Sequence, residues 1–153
     1  MNLSASVWLV IIGIVVSALL LHREHKRTVA IKAMAVRLGF VFIGRALPRS
    51  VVLDGTPIEF LSSVWNVIDG EHNGVRVVAF DCRIGSGKTS WRRTIIVAQS
   101  SPDIFAKISF TSDLSVACAG KWVILYQPKA FSFIPAGLMP LDELEARLNG
   151  LGG

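Results

Sequence analysis

The residues whose spacing most resembles a chemical motif are Gly85-Ser86-Gly87-Lys88-Thr89, which read like the end of a phosphate-binding loop. The full motif, GxxxxGK[ST], requires a glycine at position 82, where this chain has Cys82. It also requires a helix after the loop, because the helix N-terminus supplies the amides and the dipole that hold phosphate. Residues 91–97 (WRRTIIV) are β-prone and predict a returning strand instead. A hairpin turn is therefore preferred, and an enzyme or nucleotide-binding protein that uses Gly85–Thr89 is the alternative hypothesis.

The three histidines do not form a recognisable metal-binding or catalytic pattern. His22 and His25 are three residues apart in a basic segment, and His72 lies in a predicted turn. A zinc site would bring further Cys, His or carboxylate ligands close to them. A Ser-His-Asp triad would have to recruit His72 from a hairpin tip, and no serine stands in a nucleophile-elbow motif. We predict no catalytic residues, no metal and no cofactor.

Basic side chains are the remaining candidates, as contacts for anionic lipid headgroups or for an acidic protein partner. One group follows an uncharged run near the N-terminus, and the other surrounds the predicted hairpin turn. The candidate contact residues are Arg23, Lys26, Arg27, Lys88, Trp91, Arg92 and Arg93. The alternative for the second group is a solvated hairpin with a cross-strand ion pair.

The register of that hairpin depends on the length of its turn. A two-residue turn at Ser86-Gly87 would pair Ile84 with Thr89 and would place Asp81 opposite Arg92. A three-residue loop would place Asp81 opposite Arg93 instead.

The uncharged run from Leu3 to Leu21 predicts a transmembrane helix over residues 3–21. Nineteen helical residues rise roughly 28 Å, close to the thickness of a bilayer's hydrocarbon core. Trp8 lies near the outer end, where an amphipathic ring suits the interface. A cleaved signal peptide would need a basic N-terminal region and a small-residue cleavage site, whereas this run ends in Leu19-Leu20-Leu21. We therefore predict a retained anchor.

The distribution of charge predicts the orientation of that anchor. Residues 22–49 carry seven lysines and arginines against a single acid, Glu24, whereas the rest of the chain is nearly neutral. The positive-inside rule then places the N-terminus outside and the following domain in the cytoplasm. Because the basicity is confined to the segment next to the span, it favours a lipid surface and argues against nucleic acid as a partner. In the cytoplasm Cys82 and Cys118 should be reduced, and we expect both to be buried.

Residues 22–39 predict a basic juxtamembrane helix that continues the anchor. Val29, Ala33 and Val36 share one face, and Ala30, Met34 and Leu38 share an adjacent face. Such a helix could lie on the membrane surface or pack on the following sheet, and packing is preferred.

Residues 40–150 predict one antiparallel β domain with a C-terminal helix, so the fold class is α+β. Residues 71–74 predict a hairpin turn in which Asn73-Gly74 suits positive φ. Pro140 to Gly150 carries helix start and stop signals around Leu141, Leu144 and Leu148. A strongly curved sheet closed by this helix would resemble a pleckstrin-homology-like roll. Strands are predicted at 40–43, 57–61, 64–70, 75–84, 91–99, 104–110, 114–118 and 122–127.

Several motifs in this order resemble a group of uncharacterised bacterial single-pass membrane-anchored proteins with a β-rich domain. The motifs are LGF (38–40), NGVRVVAFDCRIGSGK (73–88), TIIVAQSSP (94–102), WVILYQP (122–128) and PLDELEARL (140–148). The resemblance implies an N-terminal span and a GV-V-FD…GSGK hairpin, and it implies no catalytic residues. The chain departs from the group at Cys82, where an aromatic residue is expected.

These observations together predict a non-enzymatic, membrane-tethered interaction domain at the inner face of the membrane. Its expected partners are anionic lipid headgroups or a protein, and not nucleic acid. The sequence favours no particular oligomeric state.

Overall fold

The computed structural model describes residues 3–72, 74–87, 90–100, 113–127 and 137–151. Six strands form one sheet in the order β1-β2-β3-β4-β6-β5, and all neighbouring strands are antiparallel. Within the described residues, a long N-terminal helix and a C-terminal helix accompany this sheet, which confirms the predicted α+β class. The elements are α1 (Leu3–Leu38), β1 (Val41–Gly44), β2 (Leu61–His72), β3 (Val75–Ile84), β4 (Trp91–Gln99), β5 (Ser115–Ala119), β6 (Trp122–Tyr126) and α2 (Leu141–Leu151).

Helix α1 runs unbroken through both predicted segments, the anchor and the juxtamembrane helix. Its side chains from residue 6 to residue 26 are exposed, and this apolar stretch is long enough to cross a membrane. Further along, Ile31, Met34 and Ala35 are buried against the sheet, while Val29 and Val36 are exposed. Of the two predicted positions for the juxtamembrane segment, packing on the sheet is the observed one.

The sheet is covered on both faces, which explains why its central strands read as continuous apolar runs. On one face, the last turns of α1 and all of α2 pack over residues such as Ala79 and Ile96. On the other face, Leu53 and Ile58 of the β1–β2 connection pack over Phe80 and its neighbours. We call the first the helix face and the second the loop face. Because side chains alternate along a strand, residues 77, 79 and 81 of β3 point to the helix face.

Helix α2 buries Leu144, Leu148 and Leu151 in the helix-face core. The predicted stop at Gly150 is one residue early, because Leu151 still belongs to the apolar stripe. Arg37 Nη2 lies 2.8 Å from Glu145 Oε2 and joins the two helices.

Two of the predicted strands are not confirmed. Residues 57–60 form turns and irregular structure, so the strand predicted at 57–61 is wrong except for Leu61, which begins β2. The strand predicted at 104–110 lies outside the described residues.

The β2–β3 hairpin is tighter than the turn predicted at residues 71–74, since strand pairing continues to His72 and Val75, and Gly74 has a φ of +79°. The predicted register of the β3–β4 hairpin is wrong. Ile84 pairs with Trp91, so residues 85–90 form a wide connection in which the Gly85 N–H donates to the Phe60 carbonyl at 3.2 Å. The longer loop shifts the register.

With this shift, Asp81 faces Thr94, and neither Arg92 nor Arg93 lies opposite it. Arg92 pairs with Arg83, and Arg93 pairs with Cys82.

Candidate functional site

Asp81 is a carboxylate on the helix face of β3, with its side chain completely buried (0% exposed). Arg27 reaches it from α1, with Nε 2.7 Å from Oδ2 and Nη2 2.9 Å from Oδ1. This bidentate geometry is the strong form of an arginine–carboxylate contact. The pair connects the helix that leaves the apolar span directly to the centre of the sheet.

Two further side chains complete the hydrogen bonding of this carboxylate. Asn66 Nδ2 donates to Oδ2 at 2.9 Å, and Thr94 Oγ1 donates to Oδ1 at 2.7 Å. Asn66 has a φ of +54° within an irregular part of β2, and this conformation accompanies the inward position of its amide. Each oxygen of Asp81 therefore accepts two hydrogen bonds, which leaves the carboxylate committed to structure and not available as a general base.

The same network holds the start of the C-terminal region. Arg27 Nη1 donates to the Met139 carbonyl at 2.8 Å, and the Met139 N–H donates to Thr94 Oγ1 at 3.0 Å. Thr28 Oγ1 lies 2.8 Å from Asn66 Oδ1, one residue further along α1. The helix, three strands and Met139, two residues before α2, thus meet at one buried polar cluster.

A second ion pair lies one turn closer to the apolar span. Arg92 Nη2 donates to Glu24 Oε1 at 2.6 Å, and the Arg92 guanidinium carbon lies 5.0 Å from the centroid of the Trp65 ring. Glu24, Arg27 and Thr28 occupy one face of α1 because residues three and four apart are neighbours on a helix. The basic segment is therefore divided: Arg27 faces the sheet, while Arg23 and Lys26 are exposed.

Two clefts adjoin α1 at this level, and the Glu24–Arg92 pair lines both of them. The collar cleft has a volume of about 680 Å³ and combines basic side chains with apolar ones. The arginine cleft has a volume of about 580 Å³ and lies toward β1, β2 and β3. The collar cleft includes Leu20, Arg23, Lys26, Arg92, Leu138 and Leu141. The arginine cleft includes His25, Phe42, Arg45, Trp65, Arg83 and Arg92.

The seven predicted contact residues do not form one surface. Four of them, Arg23, Lys26, Arg27 and Arg92, line the collar cleft. Trp91 packs with the loop-face core, and Lys88 lies outside the described residues.

Arg93 points to the loop face, opposite to its neighbour Arg92. Its Nη1 donates to the Gln127 carbonyl at 2.5 Å. Burial lowers the pKa of the Arg93 guanidinium. Strand alternation therefore separates Arg92 and Arg93, which are adjacent in sequence.

The structure also brings together residues that sequence reasoning missed: Asn66, Thr94 and Thr28 around Asp81, and Arg45 and Arg83 in the arginine cleft. One signal was present in the sequence. Asp81 interrupts the apolar run of β3 at a position that faces the core, and a buried charge requires partners.

Among the described residues, no α-helix follows the loop that the phosphate-binding alternative needs. The residue that follows the loop region begins strand β4 at Trp91, and both Gly85 and Gly87 have positive φ, as turn glycines do. Lys88 and Thr89 themselves lie outside the described residues. Without a following helix, the amides and dipole that a phosphate-binding loop uses are not supplied here.

The two cysteines have different environments. Cys82 is buried as predicted, and burial raises the pKa of its thiol to about 12, so it is not a thiolate nucleophile at neutral pH. Cys118, which we expect to be buried, is exposed, whereas its neighbour Ala119 on the same edge strand β5 is buried. Among the described residues, no three His, Cys, Asp or Glu side chains are grouped as metal ligands.

Comparison with protein-family models, with curated proteins and with solved structures finds no match for this chain. The resemblance to bacterial membrane-anchored proteins therefore stays a prediction, as does the likeness of the sheet to a roll.

Proposed function

We propose that this protein is a membrane-anchored, non-enzymatic domain that binds anionic phospholipid headgroups at the inner face of the membrane. The observation that carries the proposal is the collar cleft. Its lining combines Leu20 of the apolar span and leucines 138 and 141 with the basic side chains of Arg23 and Lys26. An anionic phospholipid has the same division between an apolar and a charged part.

The depth of the basic residues matches that of headgroups. With a rise of 1.5 Å per residue, Arg23 and Lys26 lie about 3 and 8 Å beyond Leu21, the last apolar residue of the span. The headgroup layer on each side of a bilayer is about 5–7 Å thick. Both cations therefore fall at or near the phosphate level when the span occupies the hydrocarbon core.

The two cations are also available for a ligand. Neither Arg23 nor Lys26 forms an ion pair with any residue of the described chain, and both are exposed. Basic residues next to an anionic leaflet contribute about 1 kcal/mol each. Leu20, which lines the cleft, belongs to the apolar span, and this favours a lipid over a soluble protein partner.

The anchor itself is supported by the continuity of α1. Its apolar side chains from Val7 to Leu21 are exposed, and the same helix then docks on the sheet through Arg27. The basic side of the span is the side that carries the domain, and this supports a cytoplasmic domain under the positive-inside rule.

Lipid binding can be measured on the full-length protein by native mass spectrometry from detergent, with phosphatidylglycerol and phosphatidylcholine as probes. We expect phosphatidylglycerol to bind more tightly. Arg23→Gln and Lys26→Gln should each weaken its binding about fivefold, because each loses about 1 kcal/mol.

Arg49→Gln is the matched control, since Arg49 is an exposed arginine that lines neither cleft. Equal retention of the two lipids, or equal losses in all three variants, would contradict a headgroup site in the collar cleft.

A further inference from the structure

The arginine cleft places two like charges directly opposite each other. Arg83 of β3 and Arg92 of β4 are cross-strand partners on the helix face, and both line the cleft. Like charges at opposed positions of neighbouring strands destabilise a sheet unless something compensates them. Glu24 compensates Arg92, whereas the Arg83 side chain has no ion pair with any described residue.

A third guanidinium enters the same cleft from the segment after β1. Arg45 is exposed and also lacks an ion-pair partner in the described part of the chain. Three arginines and one glutamate leave an excess of two positive charges around the cleft, with His25 beside them. A dianion would balance that excess, and arginine is the residue best suited to hold phosphate oxygens in pairs.

The walls of the cleft suit an organic ligand and not only an ion. Trp65 and Phe42 provide aromatic surface, and Trp65 also fixes the Arg92 guanidinium at 5.0 Å from its ring. A volume of about 580 Å³ is in the range of small-molecule sites. Apolar walls with a few convergent polar groups are what such sites share.

We propose that the arginine cleft binds a phosphomonoester, through Arg45, Arg83 and Arg92. A phosphomonoester carries a charge of about −2 near neutral pH, whereas the phosphodiester of an ordinary glycerophospholipid carries only one negative charge. The site is distinct from the collar cleft, although both include the Glu24–Arg92 pair, and the proposal does not rest on the function proposed above.

Two sources could supply this group. The α1 residues of the cleft, Glu24 to Thr28, lie about 4–11 Å beyond Leu21, so the cleft extends from the headgroup layer into the aqueous phase. A lipid with a terminal phosphomonoester could reach it from the membrane, and a soluble phosphomonoester could reach it from the cytoplasm.

The test uses the full-length protein in phosphatidylcholine nanodiscs. In the soluble arm, glycerol 3-phosphate is titrated by calorimetry. In the lipid arm, retention of phosphatidic acid is compared with retention of phosphatidylglycerol. We expect saturable binding in at least one arm. Arg83→Gln and Arg45→Gln should weaken it about tenfold, the usual cost of one charge-assisted hydrogen bond.

Arg49→Gln should change this binding less than about twofold, since it removes the same charge outside the cleft. Binding in the soluble arm alone identifies a cytoplasmic ligand, and binding in the lipid arm alone identifies a headgroup. No saturable monoester binding in either arm, or an equal loss in Arg49→Gln, would overturn the proposal. Arg23→Gln and Lys26→Gln separate this result from the collar cleft, because they should weaken the retention of phosphatidylglycerol and leave the binding of glycerol 3-phosphate unchanged.

Discussion

Asp81 is the residue on which the contact between the span-bearing helix and the sheet depends. Its carboxylate is completely buried and accepts hydrogen bonds from Arg27, Asn66 and Thr94. A buried ion pair adds little net stability when both partners are present, because desolvation of the charges offsets their attraction. Removal of one partner is costly, since it leaves the other charge buried without compensation.

Asp81→Asn should therefore destabilise the protein by about 3 kcal/mol or more. For a domain of this size that corresponds to a fall in the thermal midpoint of about 10 °C. The measurement is thermal unfolding of the full-length protein in detergent.

Asp69→Asn is the matched control, because Asp69 pairs with Arg76 at 2.8 Å on a partly exposed site. Its loss should cost less than about 1 kcal/mol. Similar midpoints for the two variants would show that the Asp81 cluster does not hold the domain to the helix.

The partner of Asp81 could not be predicted from the residues near it in the sequence. Counting across a short hairpin pointed to Arg92 or Arg93, whereas the true partner, Arg27, is 54 residues away in the chain. The wide connection at 85–90 changes the register, and no turn residue in it reveals its length. What the sequence did indicate is that an acid within an apolar strand needs a cation.

At the scale of elements, β1 is joined to the domain by an unusually close approach. Phe40 lies directly over Gly70 of β2, and a Cβ at Gly70 would overlap the ring and come within 3.0 Å of the Phe40 Cα. Phe40 is buried in the helix-face core, so the ring cannot move outward without exposing apolar surface.

Gly70→Ala should thus destabilise the protein by about 1–3 kcal/mol through overpacking. Gly137→Ala serves as the control, because a Cβ there meets no atom within 4 Å. The free energy of unfolding in denaturant distinguishes them. A neutral Gly70→Ala would mean that the Phe40 ring repacks freely and that β1 is held less firmly than its burial indicates.

Most elements were predictable because their patterns are local. The β-prone runs and the turn residues between them predicted β2, β3, β4 and β6 as strands, and the leucine spacing predicted α2. The β1–β2 connection was not predictable as a cover for the loop face. This segment is irregular, so the burial of Leu53 and Ile58 follows no helical or strand periodicity that could be recognised in the sequence. The sequence also did not indicate that Arg92 and Arg93 would point to opposite faces of the sheet.

At the scale of the whole molecule, the charge distribution predicts the side of the membrane on which the domain lies. A reporter fused after Gly153 should be active only if it is a type that works in the cytoplasm, because the basic residues follow the span. A matched pair of cytoplasmic and periplasmic reporters at this position makes the measurement. Activity of the periplasmic reporter would contradict the predicted orientation. It would also contradict the cytoplasmic location proposed for both clefts.

The unbroken course of α1 has a mechanical consequence. Because one rigid helix is both the apolar span and the part clamped by Asp81, a turn of the span about its long axis carries the sheet through the same angle. Helix α1 contacts β1 and β2, whereas β5 forms the opposite edge, four strand spacings from β2. At about 4.8 Å per spacing, a twist of about 20° in the bilayer would sweep that far edge through about 7 Å. The domain would then act as a lever arm that enlarges small rotations of α1.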